Sequence, residues 1–588
     1  MRYPTLNVPD TGRDMVQAFR GYNHNLRIGD GEFYDMQNLT STHYPILSPR
    51  PQRGTYAPDE GEAEINPQGL ISKDSLGYID GMDFVLNEYR IPLNLSLRPD
   101  MQPKTLISMG AYVIILPDKK YVNTADFTDY GNIEATHTTF DEETVTFELC
   151  NIEGTAYSNV ATNEPASPAD KQYWVDSSST PHVLKQYSAA SGMWVTIPTT
   201  YIKISAPDIG TYFNQYDGVT IEGILNTKLS DLNSTMVIWA KGDNYIVVVG
   251  ILDEKVTQDG YDGRISITRK MPLMDFVTES ENRLWGCRYG VASNGEVVNE
   301  IYASKLGDFK NWNCFMGLST DSYAASVGTD GQFTAATTHL GYPLFFKETC
   351  IHKVYGNYPA NYQIQTTSCR GVAKGSEKSL AEVNEILYYK SRNGVCAYDG
   401  SLPTEISNAL GDVTYSDAVA GCLGNKYYIS MKDTAGEYHL FVYDTQKGMW
   451  HKEDNTQVIE FCYCRGDLYY INTNNQIKSI LGSKTKDKEP VKWMAETGVI
   501  GMEYPDKKYI SRLLVRMSLD IGARVRFYIQ YDSCGTWEHM CSLTGTNLRS
   551  FAVPIKPQRC DHFRFRIEGE GEAKIFSIVK TTEQGSDI

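Results

Sequence analysis

"NEILYYKS" (residues 384–391), "GNKYYISM" (424–431) and "RGDLYYIN" (465–472) share one plan: a polar turn followed by a pair of apolar or aromatic residues. "ENRLWGCR" (281–288) and "GYPLFFKE" (341–348) repeat it. The first residues of the pairs are Leu284, Phe345, Tyr388, Tyr427 and Tyr469, at spacings of 61, 43, 39 and 42. Short apolar strands precede them ("FTAATTHL", "SLAEV", "AVAGCL", "VIEFCYC"), and a further strand and turn follow most of them, as in "GVCAYDG" and "HLFVYDTQKGMW". About four short antiparallel strands every forty residues or so is the signature of a propeller blade. A four-stranded sheet cannot cover both of its own faces. Blades set radially cover one another, which places the pairs at blade interfaces. Helical repeats of this length are excluded by short, β-branched segments broken by Gly and Asn.

An earlier match, "GAYVIILPDKKYVN", puts the pair at Val113 and Ile114, 171 residues before Leu284. The intervening "YWVDSSSTPHVLKQYSAASGMWVTIPTTYIKISAP" and "MVIWAKGDNYIVVVGILDEKV" alternate like strands without the blade plan. Treating residues 137–268 as an insertion of 132 residues leaves a spacing of 39 and restores the repeat. A weaker match at "DSLGYIDG", around Leu76, adds a further blade. After the lysine-rich "SILGSKTKDKEP", "RVRFYIQYD" and "HFRFRI" alternate strictly. Val525, Phe527, Ile529 and Tyr531 share one face with Phe563, Phe565 and Ile567, and Arg524, Arg526, Arg564 and Arg566 share the other. The expectation is a mainly β chain: a six- or seven-bladed β-propeller (residues 55–136 and 269–485) with an inserted small β domain (137–268). A C-terminal β-sandwich (490–588) and an extended N-terminal arm (1–54) complete it.

At 588 residues the chain supports several domains, and 41% hydrophobic with 22% charged residues is an ordinary globular balance. The 55 basic and 72 acidic residues leave a net charge of −17, which argues against gripping nucleic acid by its phosphates. Forty tyrosines and 48 glycines favour strands, tight turns and protein contact. The twelve cysteines lack CxxC or zinc spacing, and Cys462 and Cys464 share one side of a strand, so they read as reduced, small core residues. "MRYPTLNVPDTGRDM" has no apolar core of a signal peptide, and runs such as "YIVVVGIL" are too short to span a bilayer.

Signatures of chemistry are sparse. HExxH, GxSxG and GxxxxGK[ST] do not occur. "GVAKGSEKS" (371–379) lacks the ending of a phosphate loop and reads as a surface turn, and "IEGEGEAK" joins strands rather than opening a helix. "YDSCGTWEHM" approaches the Asp-box turn of sialidase-like propellers, but Gly535 stands three residues after Asp532 rather than two. It reads as a hairpin device, like "YDTQKGMW" and "YSAASGMW". The ten histidines are dispersed, and His439 and His451 read as satisfied. No catalytic, cofactor-binding or metal-binding residue is assigned.

The opening "FRGYNHNLRIGDGEFYDMQNLTSTHYPILSPRPQRG" (19–54) has four glycines, three prolines and no sustained period, yet carries Phe19, Phe33, Tyr34 and Tyr44. It resembles the start of bacteriophage tail proteins in which an arm of the pattern "GEF-D-NL-YP-L-R" precedes a β-propeller. The domain order is similar to that of the tail nozzle family of short-tailed phages, the tail tubular B or packaged-DNA stabilisation proteins. The resemblance implies a structural, non-enzymatic virion protein made in the host bacterial cytoplasm. Six copies would form a ring below the portal and adaptor, continue the DNA channel, retain packaged DNA and pass it at ejection. Tail fibres or spikes would attach nearby, DNA would pass without tight or specific binding, and no cofactor or membrane insertion would be needed. Phe19, Phe33, Tyr34, Tyr44, Arg524, Arg526, Arg564 and Arg566 are the candidate subunit contacts. The alternatives are a propeller glycan-processing enzyme or lectin of depolymerase type, and another tail component such as a baseplate or tail-tip protein.

Overall fold

The structure is a computed structural model. It describes residues 11–584 apart from 57–64, 98–102, 181, 198–199, 253, 293–294, 483–490, 503–506 and 546, so most of the lysine-rich link lies outside the described residues. The described chain is mainly β, with helix confined to short 3-10 turns.

Every apolar pair lies on the second strand of a four-strand run. These second strands are Leu76–Asp80, Tyr112–Leu116, Arg283–Val291, Tyr342–Lys347, Ile386–Lys390, Lys426–Lys432 and Asp467–Asn472. The polar turns before the pairs explain why. Glu281–Asn282, Asn384–Glu385 and Arg465–Gly466 all have positive φ, so two left-handed residues reverse the chain between paired strands. The pairs are buried, with Leu284, Phe345, Tyr389 and Tyr427 fully inaccessible.

The chain divides into two compact units, Met1–Thr105 with Phe346–Ile351 and Thr367–Ile588, and Leu106–Phe345 with His352–Thr366. In the second unit, Ile107, Ile114 and Tyr121 share a core with Leu284 and Phe309, and Trp285 and Ile301 share another with Phe333, Phe345 and Val354. Residues 137–268 build a core of their own from two sheets. Val145, Phe147, Ile202, Ile204 and Ile246 of one meet Val219, Ile221 and Ile267 of the other. Its neck is the ladder Ala135–Thr138 against Ser266–Arg269, in register from Ala135↔Arg269 to Thr138↔Ser266. Beside the neck, buried Arg269 is ion-paired to Asp217, whose other carboxylate oxygen accepts from Asn311 at 2.8 Å.

In the first unit the sheets again pack pairwise. Tyr388 meets Tyr427 (ring centroids 5.3 Å apart), and Tyr428 and Val442 share a core with Leu468 and Tyr470. Tyr469 and Ile471 share one with Leu70, Tyr78 and Val85. The strand Gly54–Thr55 completes the last of these sheets by pairing with Ile477–Ser479.

The C-terminal alternation holds: Val525, Phe527, Ile529, Phe563, Phe565 and Ile567 are buried in one core with Leu513, Val515, Met517 and Ile575 of a facing strand pair. Two boundaries expected from sequence are corrected. Residues 490–588 are not self-contained, because Thr11–Val16 extends one of their sheets and Glu32–Gln37 pairs with Lys492–Thr497 in the other. The opening segment is not a separate arm. Gly21–Tyr22 bridges Glu32–Gln37 to Met449–Asp454, making one ten-stranded sheet from residues 416–454, the opening segment and the C-terminal strands. Gly21 (φ +81°) and Gly31 (φ +88°) permit this weave, since a Cβ there would stand 2.3 Å from Trp450 O and 2.2 Å from Ala18 O. Periodicity is absent from this segment because, beside its local pairings, its short strands reach Met449–Asp454, Ile477–Ser479 and Lys492–Thr497, far away in sequence.

Candidate interaction surfaces

The described residues hold no cluster of three or more His, Cys, Asp and Glu able to take a metal ion. The cysteines are all free. Burial pushes the Cys150 thiol up to about 12 and those of Cys314, Cys369 and Cys560 up to about 11, so none of these is a thiolate near neutrality. Burial, with Lys426 beside it, pulls His451 down to about 3 and keeps it neutral, while His439 Nε2 lies 2.8 Å from Asp433. Asp532 Oδ1 accepts from the backbone N–H of Asp561 at 2.7 Å and of His562 at 3.2 Å, which is a turn-building role. No helix of the described residues is long and apolar enough to cross a membrane.

The reading of 371–379 as a surface turn is corrected. Ser376 and Ser379 are fully buried. Ser376 Oγ accepts from Ala418 N, Ser379 Oγ accepts from Lys390 N, and Ser379 O accepts from Tyr427 Oη at 2.7 Å. Small hydroxyls are needed there because the segment satisfies the backbone of neighbouring strands.

One small cleft, of about 150 Å³, is lined by Trp285, Tyr342, Pro343, Tyr362 and the carboxylate of Glu281 among others. Trp285 and Tyr362 meet edge to face at 5.0 Å. A single carboxylate lines it, whereas glycoside hydrolysis by acid and base requires two.

The eight residues expected at subunit contacts fall into three groups. Phe19 and Phe33 are 4% and 2% exposed, stack on each other at 6.0 Å and belong to this chain's own core, so they are removed from the candidates. Tyr34, Arg564 and Arg566 form a lattice on the outer face of the ten-stranded sheet. The Arg564 guanidinium lies over Tyr34 at 4.4 Å, Arg566 lies over Trp537 at 4.2 Å, and both arginines pair with Glu496 at 3.1 and 2.8 Å. Much of their charge is therefore met within the chain. Tyr44 (38% exposed), exposed Arg524 and half-buried Arg526 stay accessible.

Sequence reasoning missed the strongest polar device of the opening segment. Arg53 pairs with Glu453 and, at 2.9 Å, with Asp454, and donates to Thr456 at 3.0 Å. Arg50 reaches Asp454 at 3.4 Å and donates from Nε to Asn38 Oδ1 at 2.8 Å. The side chains of both arginines are about nine-tenths buried. Burial alone would raise the Asp454 carboxyl, but Arg53, Thr456 and Arg50 outweigh it and hold it below its ordinary range. The available signal was the spacing Arg50-x-x-Arg53 together with adjacent Glu453 and Asp454 in a segment otherwise rich in aromatics.

No protein-family profile matches the sequence. No curated protein matches it either. Among solved structures, an exo-β-1,3-galactanase from Phanerochaete chrysosporium aligns at 8% identity over 52% of this chain and 94% of that chain, with a TM-score of 0.20. A surface component of the type-IX secretion system of Porphyromonas gingivalis aligns at 13% identity over 83% and 70%, with a TM-score of 0.25. The extracellular domain of a hybrid two-component system from B. thetaiotaomicron aligns at 11% identity over 92% and 98%, with a TM-score of 0.23. Likeness this distant carries no functional argument.

Proposed function

We propose that the chain is a structural protein of a phage tail: a six- or seven-bladed β-propeller with an inserted β domain and a C-terminal β-sandwich. Six copies form a nozzle ring below the portal and adaptor, retain packaged DNA and pass it at ejection. In this reading it is not an enzyme, needs no cofactor, and belongs to the virion after synthesis in the host cytoplasm.

The observation that carries the reading is the use made of the very residues on which the family resemblance rests. Phe33 is buried, Asp35 accepts from Lys452 at 3.2 Å, and Asn38 Nδ2 donates to Lys492 O at 2.8 Å. Phe19 N donates to Pro45 O at 3.1 Å, and Leu47 exchanges backbone hydrogen bonds with Ile575 at 3.0 and 2.9 Å. Arg50 joins the buried ion network. The motif is a clasp that fastens propeller and sandwich, so motif and architecture support one another. The strand Gly54–Thr55, added to the last sheet from the start of the chain, suits a ring of blades closed by strand exchange. A net charge of −17 suits a channel wall past which DNA slides. Tyr44, Arg524 and Arg526 remain as candidate subunit contacts.

Mass photometry of the purified protein, alone and with the tail adaptor, tests this. Monomers or weak oligomers alone and hexamers on the adaptor are expected. A second reading, a glycan-binding or glycan-processing propeller, is favoured by the aromatic walls and Glu281 of the cleft. A monomer that ignores the adaptor, with Trp285 fluorescence that responds to a polysaccharide, would replace the first reading with the second.

A further inference from the structure

Where the neck ladder ends inside the 137–268 domain, just beyond Thr138↔Ser266, three loops are stitched into one surface. Thr139 N donates to Ile265 O and Ile265 N to Thr139 Oγ1, each at 3.0 Å, and Gly260 N donates to Glu143 O at 2.9 Å. Gln258 ties the third loop in. Its Oε1 accepts from Leu225 N at 2.9 Å, and its Nε2 donates to Gly223 O and Gly263 O at 2.8 and 2.7 Å. Gln258 is itself buried, so these bonds are shielded and the loops are held in place.

This fixed surface presents Phe140, Leu225 and Tyr261 to solvent at 61%, 58% and 72% exposure. The domain's own core does not need them, because eighteen other buried apolar residues already fill it. Preorganised loops that hold large apolar side chains in water are what a binding surface requires and what a folding core does not. The rim is acidic. Glu142, Glu222, Asp259 and Asp262 are exposed around the tip. The cation among them, Arg264, is already gripped by Asp141 through two hydrogen bonds of 2.7 Å. Lys228 and Lys255, further along the same loops, face Glu254 and Glu148.

We infer that this tip is a docking site for another protein, one whose contact surface sets an apolar side chain among lysines or arginines. The charge pattern selects that occupant. A second copy of this chain brings net negative charge to an acidic rim, and phosphate-rich surfaces are repelled for the same reason. The inference does not depend on the nozzle reading, since it rests on this domain alone.

The test uses the full chain and two sets of short synthetic peptides with the same central Leu-Phe pair, flanked by Lys and Arg in one set and by Asp and Glu in the other. Fluorescence anisotropy is read at low and high salt. The cationic set should bind at least about tenfold tighter and weaken in high salt. Phe140→Ser with Tyr261→Ser should abolish that preference, and Glu142→Lys with Asp262→Lys should turn it towards the acidic set. Unchanged melting curves would show that these exposed substitutions leave the fold intact. Binding of neither set, equal binding of both, or binding indifferent to the tip variants would overturn the inference. So would self-association of the native chain that the Ser variants abolish, which would give the tip to a second copy.

Discussion

Residues 19–55 and residues 137–268 solve the same problem in opposite ways. The opening segment buries Phe19, Tyr22, Phe33, Met36, Leu39 and Leu47 only by borrowing strands from residues 449–497 and a bridge to Ile575. The inserted domain buries Val145, Phe147, Ile202, Ile221 and Ile267 against one another. Burial alone therefore does not tell a domain from a clasp. What distinguishes them is whether the hydrogen-bond and packing partners lie within the same stretch of sequence.

Removing each region separates them most sharply. A chain lacking residues 1–55 should lose cooperative folding of the first unit, because the ten-stranded sheet loses two internal strands and the sheet completed by Gly54–Thr55 loses an edge strand. Thermal melting by circular dichroism checks this, and an unchanged transition would refute the clasp. Replacing 137–268 with a short Gly-Ser bridge should leave a folded chain. In the intact chain, Asp217→Ala orphans buried Arg269 and should cost about 3–5 kcal/mol, and adding Arg269→Met should recover most of it.

Point substitutions carry the comparison further. Arg53→Leu takes from Glu453 and Asp454 the nearer of their two arginines, leaves them only Arg50 at 3.5 and 3.4 Å, and should cost up to about 3–5 kcal/mol in denaturant titrations. Arg264→Ala, at an exposed pair of the inserted domain, should leave the denaturation midpoint nearly unchanged.

Between these extremes lies an acid sensitivity of the strand clasped by the opening segment. His451 lies beside Gly21, and its folded pKa of about 3 stands below the unfolded value of about 6.5. A depressed folded pKa gives stability that is full above pH ~6.5 and falls as pH drops towards about 3, at up to about 1.4 kcal/mol per pH unit. By pH ~5 the loss should be about 2 kcal/mol, and His451→Gln should remove that slope. Identical pH profiles for native and variant chains would contradict the assignment.

The repeat, the buried apolar pairs and the C-terminal alternation were legible because each is a local pattern: a turn, a strand, a period of two. The self-contained core of residues 145–267 was legible indirectly, through the spacing between Val113 and Leu284 that it interrupts. The role of the opening segment was not legible, because Tyr22 pairs with Trp450 and Asn38 with Lys492, and no local period records such distant partners. Of the surface residues, Arg524 and Arg526 stand on the face that alternation gives them. Alternation could not reveal that Glu496, separated from them in sequence by four strands, already holds Arg564 and Arg566. The tip at Phe140, Leu225 and Tyr261 was equally hidden, since three loops far apart in sequence compose it.

Native-state hydrogen exchange on the isolated monomer tests the clasp most directly. The backbone amides of Phe19, Asn38, Leu47 and Arg50, each bonded to a carbonyl of this same chain, should be protected as strongly as those of the sheet strands around Tyr427 and Tyr443. Fast exchange of these amides in the monomer, with protection only after copies assemble, would contradict the account and return the segment to the role of an arm that orders against a neighbour.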